Sequence, residues 1–414
     1  MENIVKISEN GNTVLLNKNN FRFVKVAEKM LRNNEEKVLK ILDKNYNFFQ
    51  NPVKNERKTV YYTITRKCNL SCEFCANNSS PDADTKLDLE LSDIENIVLD
   101  KLEKLHVTKI VISGGEPLIK NNFKSLVNLF YQRFGAEKLV LQSNGMLITE
   151  EIAKFLNGKI AYIEISVENI LESSTLKNRM MKIFDILFAN NIKQVFSFVV
   201  TKHSRSYVKD AVDLCVKYQA NIEIRFVAPL GRALINSDSL LMKENEILDT
   251  YLEIINYLIE KNYYMTEFER VLFFKLAAKD SCGARGNIIS MQPNGELYMC
   301  PNLQGAQYYY GNIIDDKIDD LKQNIKSKIE EKEIDNCLNV DKREMCKDCR
   351  IKYFCTGICA AELKNQEFSE KRLCNINLLF FEFMLFYYDK KRGMEYNLKL
   401  LKKHIQEYQQ RVII

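Results

Sequence analysis

Short apolar runs alternate with longer amphipathic stretches through the middle of the chain. Runs rich in β-branched and aromatic residues lie at 60–65, 109–113, 138–143, 162–167, 195–200 and 222–227. Stretches with helical spacing, such as SDIENIVLDKLEKL, separate these runs. Strands that alternate with helices form a parallel sheet, either open or curled into a barrel. The pattern therefore predicts an α/β region whose chemistry lies in the loops that follow the strands.

The flanking segments follow other patterns. VKISENGNTVLLN (5–17) predicts a hairpin with a Gly-centred turn, and helical spacing continues from there to Leu42. Residues 243–279 are predicted to be helical. Residues 280–374 lose this periodicity, contain turns such as QPNGELY, and offer too little apolar surface for an ordinary core. Helical spacing returns in residues 375–414.

Composition limits the class of protein. The chain has 414 residues, 46% of them hydrophobic, which is enough for a large core and a smaller second one. The N-terminal MENIVKISEN lacks the apolar run of a secretory signal, which predicts a cytoplasmic location. The most apolar stretch, 376–388, contains Glu382 and is shorter than the roughly 18 residues of a membrane span, so we expect a buried helix and no membrane partner.

The charge balance argues against nucleic acid as a partner. The net charge is +5, and residues 1–60, with twelve basic and seven acidic side chains, account for the whole excess. Nucleic-acid-binding domains carry clustered Lys and Arg in a strongly basic domain. We therefore expect no nucleic acid partner.

Three cysteines lie within the eight residues CNLSCEFC, directly after the first predicted strand: Cys68, Cys72 and Cys75. Twelve cysteines in a chain without a secretory signal favour metal or cluster ligation over disulfides. Closely spaced thiolates select zinc, copper(I) or iron–sulfur clusters. A structural zinc site takes four protein ligands, and the only nearby histidine is His106. Three thiolates can instead hold three irons of a [4Fe–4S] cluster and leave the fourth iron open.

With the neighbouring strand ends, this loop resembles the radical SAM superfamily. The resemblance rests on Cys-x3-Cys-x2-Cys, on SGGEP (113–117), on QSNG (142–145) and on SVE (166–168), each after a successive strand. It covers about residues 58–235 and implies a partial (β/α)6 TIM-like barrel. It also implies that Cys68, Cys72 and Cys75 are the catalytic ligands of a [4Fe–4S] cluster whose open iron binds S-adenosyl-L-methionine. The resemblance assigns contacts with this cofactor to Phe74, Gly114, Gly115, Glu116, Pro117, Ser143, Asn144, Ser166, Glu168 and Arg225.

The family chemistry gives these residues expected roles. In that family, one electron from the cluster cleaves S-adenosyl-L-methionine to a 5′-deoxyadenosyl radical, which removes hydrogen from unactivated carbon. We expect Gly114 and Gly115 to let backbone groups approach the cofactor, and Glu116 to offer a carboxylate to its ammonium group. Glu168 stands where relatives commonly have Asp. Arg225 is equally compatible with a cofactor or substrate contact and with a structural ion pair, as is Arg232.

Seven further cysteines, in the order Cys282, Gly295-x4-Cys300, Cys346-x2-Cys349-x5-Cys355-x3-Cys359 and Cys374, resemble the SPASM domain of peptide-modifying radical SAM enzymes. The resemblance implies two auxiliary [4Fe–4S] clusters, and so three clusters in all. In the family pattern the first auxiliary cluster is ligated by Cys282, Cys300 and Cys359. The second is ligated by Cys346, Cys349, Cys355 and Cys374. One position is left for Cys337 or for a group of the substrate.

A zinc ribbon built from Cys346, Cys349, Cys355 and Cys359 is the alternative for this region. In either case we expect bound metal to replace a missing hydrophobic core and the metal-free region to lose its structure.

The sequence thus predicts five segments. They are an N-terminal hairpin-plus-helix module (1–57), a radical SAM core (58–235), bridging helices (236–279), a Cys-rich SPASM domain (280–374) and C-terminal helices (375–414). The N-terminal module is placed like the leader-recognition elements of sactipeptide and ranthipeptide maturases. An exposed strand edge can bind an extended peptide, and the basic excess favours an acidic leader.

The expected function is hydrogen abstraction from a ribosomal precursor peptide, leader plus core, followed by a thioether or carbon–carbon cross-link. A flavodoxin- or ferredoxin-like protein would supply electrons. One alternative is an anaerobic sulfatase-maturing enzyme. Relatives of that type read Cys-Phe-Tyr at the third cluster ligand and carry Asp after the second auxiliary cysteine, whereas this chain has Cys75-Ala76-Asn77 and Cys300-Pro301-Asn302. The other alternative is a non-enzymatic iron–sulfur or zinc protein.

Overall fold

The computed structural model describes residues 3–32, 34–51, 57–171, 174–363 and 372–412. The predicted boundary at 57/58 adjoins residues 52–56, which lie outside the described residues. Among the described residues, no helix has the length and apolar character that crossing a bilayer requires.

Within the described part of the chain, twelve strands form two sheets. The strands are β1 Ile4–Glu9, β2 Asn12–Asn17, β3 Phe23–Ala27, β4 Lys58–Thr63, β5 Val107–Ser113, β6 Leu139–Ser143, β7 Tyr162–Ser166, β8 Gln194–Val200, β9 Asn221–Phe226, β10 Ile288–Met291, β11 Glu296–Tyr298 and β12 Tyr309–Asn312. The first three form a small sheet in the order β1-β2-β3. The other nine form one sheet in the order β12-β11-β10-β4-β5-β6-β7-β8-β9.

The helices connect and cover these strands. They are α1 Glu28–Arg32, α2 Glu35–Tyr46, α3 Leu91–Asp93, α4 Leu99–Lys104, α5 Phe123–Phe134, α6 Glu150–Leu156, α7 Glu168–Leu171, α8 Ser174–Ala189, α9 Val208–Tyr218, α10 Arg232–Ile235, α11 Ser237–Leu240, α12 Glu244–Lys261, α13 Thr266–Leu272, α14 Ile318–Glu330, α15 Lys332–Leu338, α16 Lys352–Cys355, α17 Ala360–Leu363, α18 Arg372–Glu382 and α19 Gly393–Val412. Two π-helical segments, Ile94–Val98 and Phe383–Tyr387, interrupt this series. The apolar stretch 376–388 is helical and largely buried, as the sequence predicts.

The six predicted strands of the α/β region are β4 to β9, and all pair in parallel in chain order. Alternate residues, such as Ile163 and Ile165 on β7, are buried in the large core beneath the helices. The other residues of each strand point to the opposite face of the sheet. That face carries polar side chains, among them Glu164 and Arg225. The predicted partial (β/α)6 barrel is confirmed, with a polar interior above an apolar helical layer.

The segment 280–374 does not lack a hydrophobic core, contrary to the prediction. Strand β10 pairs in parallel with β4 and extends the barrel sheet, and β11 and β12 follow as antiparallel strands. Ile289, Met291 and Leu297 are fully buried within the same core as the barrel residues. The apolar residues of this segment are few and widely spaced, so the sequence alone does not reveal that they complete a neighbouring core. Much of this segment should therefore stay folded without metal.

The N-terminal module contains a third strand that the sequence analysis missed. β3 lies within the stretch predicted to be helical to Leu42, and it pairs with β2. Leu15 faces α2 and lies in one apolar cluster with Val38 and Leu39 of that helix. Because alternate strand residues point to opposite faces, Val14 and Leu16 turn the other way, and they pack against the Cys-rich segment.

The contact between this module and the Cys-rich segment is extensive. The rings of Phe23 and Phe354 meet edge to face, with centroids 4.9 Å apart. Arg350, next to Cys349, pairs with Glu9 at 2.6 Å and with Glu382 at 2.7 Å. The N-terminal module therefore forms a small sheet of its own and also packs against the Cys-rich segment.

Candidate active site

The loop that carries Cys68, Cys72 and Cys75 follows β4, and Arg232 fixes its course. Arg232 donates from Nε to the carbonyl oxygen of Cys72 at 2.7 Å and from Nη2 to that of Ser79 at 2.8 Å. Its backbone N–H donates to the carbonyl oxygen of Cys75 at 3.1 Å. Arg232 therefore holds the cysteine loop in place through hydrogen bonds to carbonyl oxygens, and it also lines the cavity beside this loop.

The three thiols are neighbours. Burial raises the pKa of the Cys72 thiol to about 11, with smaller contributions from Glu168 and from the other two cysteines. Burial also raises the pKa of Cys68. Asn169 donates from Nδ2 to the sulfur of Cys72 at 3.1 Å. The fold thus gathers three thiols in a partly buried loop, which fits a group that binds thiolates and compensates their charge.

A cavity of about 400 Å³ opens beside this loop, at the carboxyl ends of β4 to β9. This volume is within the range of small-molecule sites. Most of the predicted site residues line it: Cys68, Cys72, Phe74, Cys75, Gly114, Gly115, Ser143, Asn144, Ser166, Glu168 and Arg225. Glu116 and Pro117 are not among its lining residues. The described cavity therefore unites the four strand-end motifs that the sequence analysis singled out.

Gly114 and Gly115 meet the backbone of the cysteine loop. A Cβ atom on Gly115 would lie 2.6 Å from the carbonyl carbon of Lys67, and one on Gly114 would overlap the carbonyl oxygen of Thr65. The N–H of Gly115 donates to Thr65 at 2.8 Å, which continues the β4–β5 pairing beyond both strands. The packing of backbone on backbone already requires glycine here, whether or not a cofactor also approaches.

Glu116 occupies a different position from the expected one. Its side chain is fully buried, and its carboxylate accepts hydrogen bonds from the N–H of Leu118 at 3.1 Å, the N–H of Asn144 at 2.8 Å and the hydroxyl of Ser143 at 2.9 Å. Burial raises the pKa of Glu116, and these hydrogen bonds oppose that shift. In this arrangement Glu116 joins the loops after β5 and β6 rather than facing the cavity.

We predict that Glu116→Gln lowers the free energy of unfolding by about 1–3 kcal/mol. One carboxylate oxygen accepts from the N–H of Leu118 and the other from the N–H of Asn144. A carboxamide NH2 group in either position would therefore face a backbone donor. Urea denaturation of anaerobically purified protein measures the change. Glu151→Gln, an exposed residue paired with Lys124, is the matched control and should cost less than about 0.5 kcal/mol. Equal losses in the two variants would contradict the buried role.

The sequence analysis missed polar residues within the strands. Gln142, Glu164 and Ser197 line the cavity from β6, β7 and β8. Glu164 and Ser197 are single polar residues inside short apolar runs, and Gln142 ends such a run, which was the available signal. Arg225 lies 3.3 Å from Glu164 and also pairs with Glu223. Arg225 is thus both a member of the cavity wall and part of an ion-pair network.

Asn302 is a further residue that was missed. It lines the same cavity, although it belongs to the Cys-rich segment. Its backbone N–H hydrogen-bonds to the sulfur of Cys300, which partly opposes the effect of burial on the pKa of that thiol. The loop of Cys300 therefore borders the cavity beside Cys68–Cys75, a proximity that only the tertiary structure reveals.

Cys282, Cys300 and Cys359 form a second set of neighbouring thiols. Burial raises the pKa of Cys300 to about 11, and Cys359 and Cys282 contribute to the shift. Tyr310 lies close to Cys300 and Cys282. Its hydroxyl is buried and has no hydrogen-bond partner among the described residues. A buried hydroxyl without an acceptor fits a site that an anionic, sulfur-rich group completes.

Cys346, Cys349, Cys355 and Cys374 form a third set. Burial raises the pKa of Cys355 to about 11, with contributions from Cys374 and Cys349. Burial also raises the pKa of Cys346, whereas the nearby guanidinium of Arg343 lowers it. Asn377 donates from Nδ2 to the sulfur of Cys355 at 3.4 Å. These four cysteines are the ones assigned to the second auxiliary cluster, and that assignment stays a prediction.

Single-metal geometry and the position of Cys337 complete the description. Within the described ranges, no group of three or more His, Cys, Asp and Glu side chains is spaced to hold a single metal ion. Cys337 lies on α15, and its carbonyl oxygen accepts from Nε of Arg343 at 2.8 Å. Its role as an additional cluster ligand stays a prediction. Cys215 is fully buried in the main core, as its helical spacing predicted.

Comparison with known families decides the class of this site. Residues 62–219 match the model of the Radical SAM superfamily. The matched region is a radical SAM domain. Members of this superfamily use a [4Fe–4S] cluster and S-adenosyl-L-methionine, and the thiol loop and adjoining cavity fit both.

Two curated relatives match this chain over longer stretches than the family model does. The chain is 23% identical to the radical SAM cyclopropyl synthase TigE of Paramaledivibacter caminithermalis over 355 residues. This alignment covers 77% of this chain and 72% of TigE. The chain is 24% identical over 277 residues to the mycofactocin maturase MftC of Mycolicibacterium smegmatis, which covers 62% of this chain and 67% of MftC.

Two of the solved structures that share the fold of this chain are SuiB and anSMEcpe. SuiB of Streptococcus suis bound to its precursor peptide SuiA superposes with a TM-score of 0.53 at 15% identity, over 88% of this chain and 96% of SuiB. Native anSMEcpe with bound AdoMet gives a TM-score of 0.55 at 17% identity, over 78% of this chain and 99% of anSMEcpe. These similarities extend beyond the barrel and establish a common fold.

Proposed function

We propose that this radical SAM enzyme modifies a ribosomally synthesised precursor peptide and installs a thioether cross-link. The proposal rests chiefly on the cavity wall, where the loop of Cys68–Cys75 and the loop of Cys300 border the same space through Asn302. The relatives TigE and MftC and the SuiB complex with SuiA support a peptide substrate. The neutral Asn302 follows Cys300 closely, so the carboxylate base expected of a sulfatase-maturing enzyme is missing from this position.

The residues of the cavity have separate tasks in this proposal. When bound, the cluster and S-adenosyl-L-methionine supply a carbon radical that removes hydrogen from the substrate. Cys68, Cys72 and Cys75 hold the cluster, and Asn169 orients the Cys72 sulfur. Gly114 and Gly115 fix the loop that borders the cofactor, while Ser166 and Glu168 offer polar contacts for its ribose and carboxylate. Gln142, Glu164 and Arg225 line the cavity and position the polar groups of cofactor and substrate.

The other thiol sets belong to the same proposal. Cys282, Cys300 and Cys359 would hold a first auxiliary [4Fe–4S] cluster, and Cys346, Cys349, Cys355 and Cys374 a second. Asn302 brings the loop of Cys300 to the cavity, so a substrate thiolate would be one group able to complete this ligand set. Ligation by the substrate would activate a thiolate for thioether formation. Cys337 is the alternative fourth ligand. A flavodoxin- or ferredoxin-like protein would supply electrons.

Anaerobic incubation of the reduced enzyme with S-adenosyl-L-methionine and the precursor peptide encoded beside its gene tests the proposed function. The expected product has lost two hydrogen atoms per cross-link and has one cysteine fewer that iodoacetamide can alkylate. Loss of hydrogen without loss of a free thiol indicates a carbon–carbon bond and contradicts the thioether. Release of 5′-deoxyadenosine with an unmodified peptide contradicts that peptide as the substrate.

The N-terminal module is our proposed site for the leader part of the peptide. Among the described residues, no further strand pairs with β1 or β3, so both edges are available to an extended peptide. Lys25 is the exposed central residue of β3. Removal of the whole module is a poor test, because Val14, Leu16 and Phe23 pack against the Cys-rich segment.

We predict that Lys25→Glu weakens the binding of an acidic leader about fivefold, because it places a like charge beside the proposed peptide strand. Release of 5′-deoxyadenosine without peptide should stay unchanged. Fluorescence anisotropy with a labelled leader measures the affinity. Lys40→Glu makes the same charge change on α2, where Lys40 is exposed and paired with Glu36, and should have little effect. Equal weakening by both variants would assign the effect to net charge and would remove β3 from the proposal.

A further inference from the structure

Arg343 lies between the second and third thiol sets. It is 5% exposed. From Nη1 its guanidinium donates to the carbonyl oxygen of Ile358 at 2.7 Å, and Ile358 directly precedes Cys359 of the second set. Its backbone carbonyl accepts from the N–H of Cys346 at 2.9 Å, within the turn that carries the third set. Through its guanidinium and its backbone carbonyl, one residue therefore joins the loops of both sets.

The space around this guanidinium is shaped to hold it. Gly357 has a φ of +76°, and a Cβ atom at this position would overlap Nη1 of Arg343 and lie 3.3 Å from the sulfur of Cys346. The guanidinium of Arg343 and the sulfur of Cys346 thus both lie next to the Cα atom of Gly357. Glycine at this position leaves room for both groups.

The charge of Arg343 has no carboxylate partner among the described residues. The nearby cations Arg285 and Lys342 both pair with Asp335. A buried guanidinium without an anion is destabilising. The polar groups that meet Arg343 are backbone carbonyls and the sulfur of Cys346. A cluster held by four thiolates carries net negative charge, so its presence at the third set would supply the missing counterion.

We propose that Arg343 is a positioning residue for the auxiliary cluster of Cys346, Cys349, Cys355 and Cys374. Its guanidinium donates to the sulfur of Cys346 and locks this set onto the loop of Cys359. The inference rests on the auxiliary clusters of the proposed function. Because hydrogen bonds to sulfur and nearby positive charge stabilise the more negative, reduced state, Arg343 raises the reduction potential of this cluster.

Full-length enzyme that carries all its clusters provides the test. Pulsed EPR of the reduced wild type with 15N-labelled arginine should detect nitrogen coupling to one auxiliary cluster, and this measurement needs no substitution. Signals that change on addition of S-adenosyl-L-methionine belong to the cluster of Cys68–Cys75 and are set aside. A redox titration followed by EPR then gives the potential of the coupled cluster.

Arg343→Met should shift that potential to a more negative value and leave the other auxiliary cluster nearly unchanged. Arg343→Lys keeps the charge but shortens the reach, so a smaller shift in the same direction is expected. Gly357→Ala displaces the guanidinium and should also lower the potential. Lys347→Met is the matched control. It removes one charge next to Cys346, but Lys347 is exposed and paired with Glu344, so no comparable shift is expected.

The possible failures are distinguishable. Iron and sulfide contents that leave no auxiliary clusters in the wild type would refute the proposed clusters themselves. With clusters present, the absence of arginine nitrogen coupling overturns the inference about Arg343, whether or not the variants fold. An equal shift in Arg343→Met and Lys347→Met also overturns it, because net charge alone would then set the potential.

Discussion

Replacement of Cys72 by alanine should reduce formation of 5′-deoxyadenosine to the background level of the assay. Cys72 is the central thiol of its loop and accepts a hydrogen bond from Asn169. Its removal leaves two cysteines for a cluster that needs three ligands, so the cluster is lost or displaced from the cavity. Liquid chromatography of reactions with dithionite and S-adenosyl-L-methionine measures the product, without any peptide.

Cys215→Ala is the control for this prediction. Cys215 is a fully buried cysteine of α9 and lies outside all three thiol sets. Its replacement should cost about 1 kcal/mol of stability and leave the rate per folded molecule unchanged. Iron analysis should show the loss of one cluster in Cys72→Ala and none in Cys215→Ala. Undiminished 5′-deoxyadenosine formation by Cys72→Ala would refute the assignment of this loop as the catalytic cluster site.

Gly231→Ala should lower 5′-deoxyadenosine formation nearly as much as Cys72→Ala does, although Gly231 has no side chain. A Cβ atom at Gly231 would lie 2.5 Å from the carbonyl oxygen of Ala76 and would overlap that of Cys75. Both are backbone atoms of the cysteine loop, which has little freedom to move because Arg232 also holds it. We expect a loss of about 3 kcal/mol in the free energy of unfolding. A cluster displaced by about 1 Å should lower 5′-deoxyadenosine formation roughly a hundredfold.

Gly158→Ala provides a closely matched comparison. Gly158 also has a positive φ, +73° against +54° at Gly231, but no heavy atom lies within 4 Å of its Cβ position. Both substitutions therefore add backbone strain at a positive φ, and only Gly231→Ala, where ψ is −130°, also adds the overlap. Denaturation and cofactor cleavage should both separate the variants. Equal stability and activity would mean that the loop does not depend on this contact.

The parallel sheet could be predicted from the sequence because each strand is a short apolar run between amphipathic helices. The prediction at 162–167 corresponds to β7 at Tyr162–Ser166, and that at 195–200 to β8 at Gln194–Val200. The cysteine loop and the strand-end motifs likewise indicated the family, because each motif is a short run of residues that follows a predicted strand. In the N-terminal module the short strand β3 was not predicted, because the helices that follow it dominate the local pattern.

Predictions about residue roles were less successful where they depended on distant partners. Glu116 was expected to face a cofactor, but its carboxylate is buried and accepts hydrogen bonds from Ser143 and Asn144 on another loop. The prediction that residues 280–374 lack a hydrophobic core was wrong for the same reason. Ile289 and Leu297 find their partners in the barrel core, which local composition does not reveal.

The sequence by itself determined the class of fold, the thiol-bearing loops and the kind of cofactor chemistry, because these depend on local periodicity and on residue types at short spacing. Only the tertiary structure decided that Asn302 brings the loop of Cys300 to the cavity, that the N-terminal sheet walls the Cys-rich segment, and that Arg343 joins two thiol sets. These arrangements bring together groups far apart in the chain, and such proximity depends on how the packed layers meet.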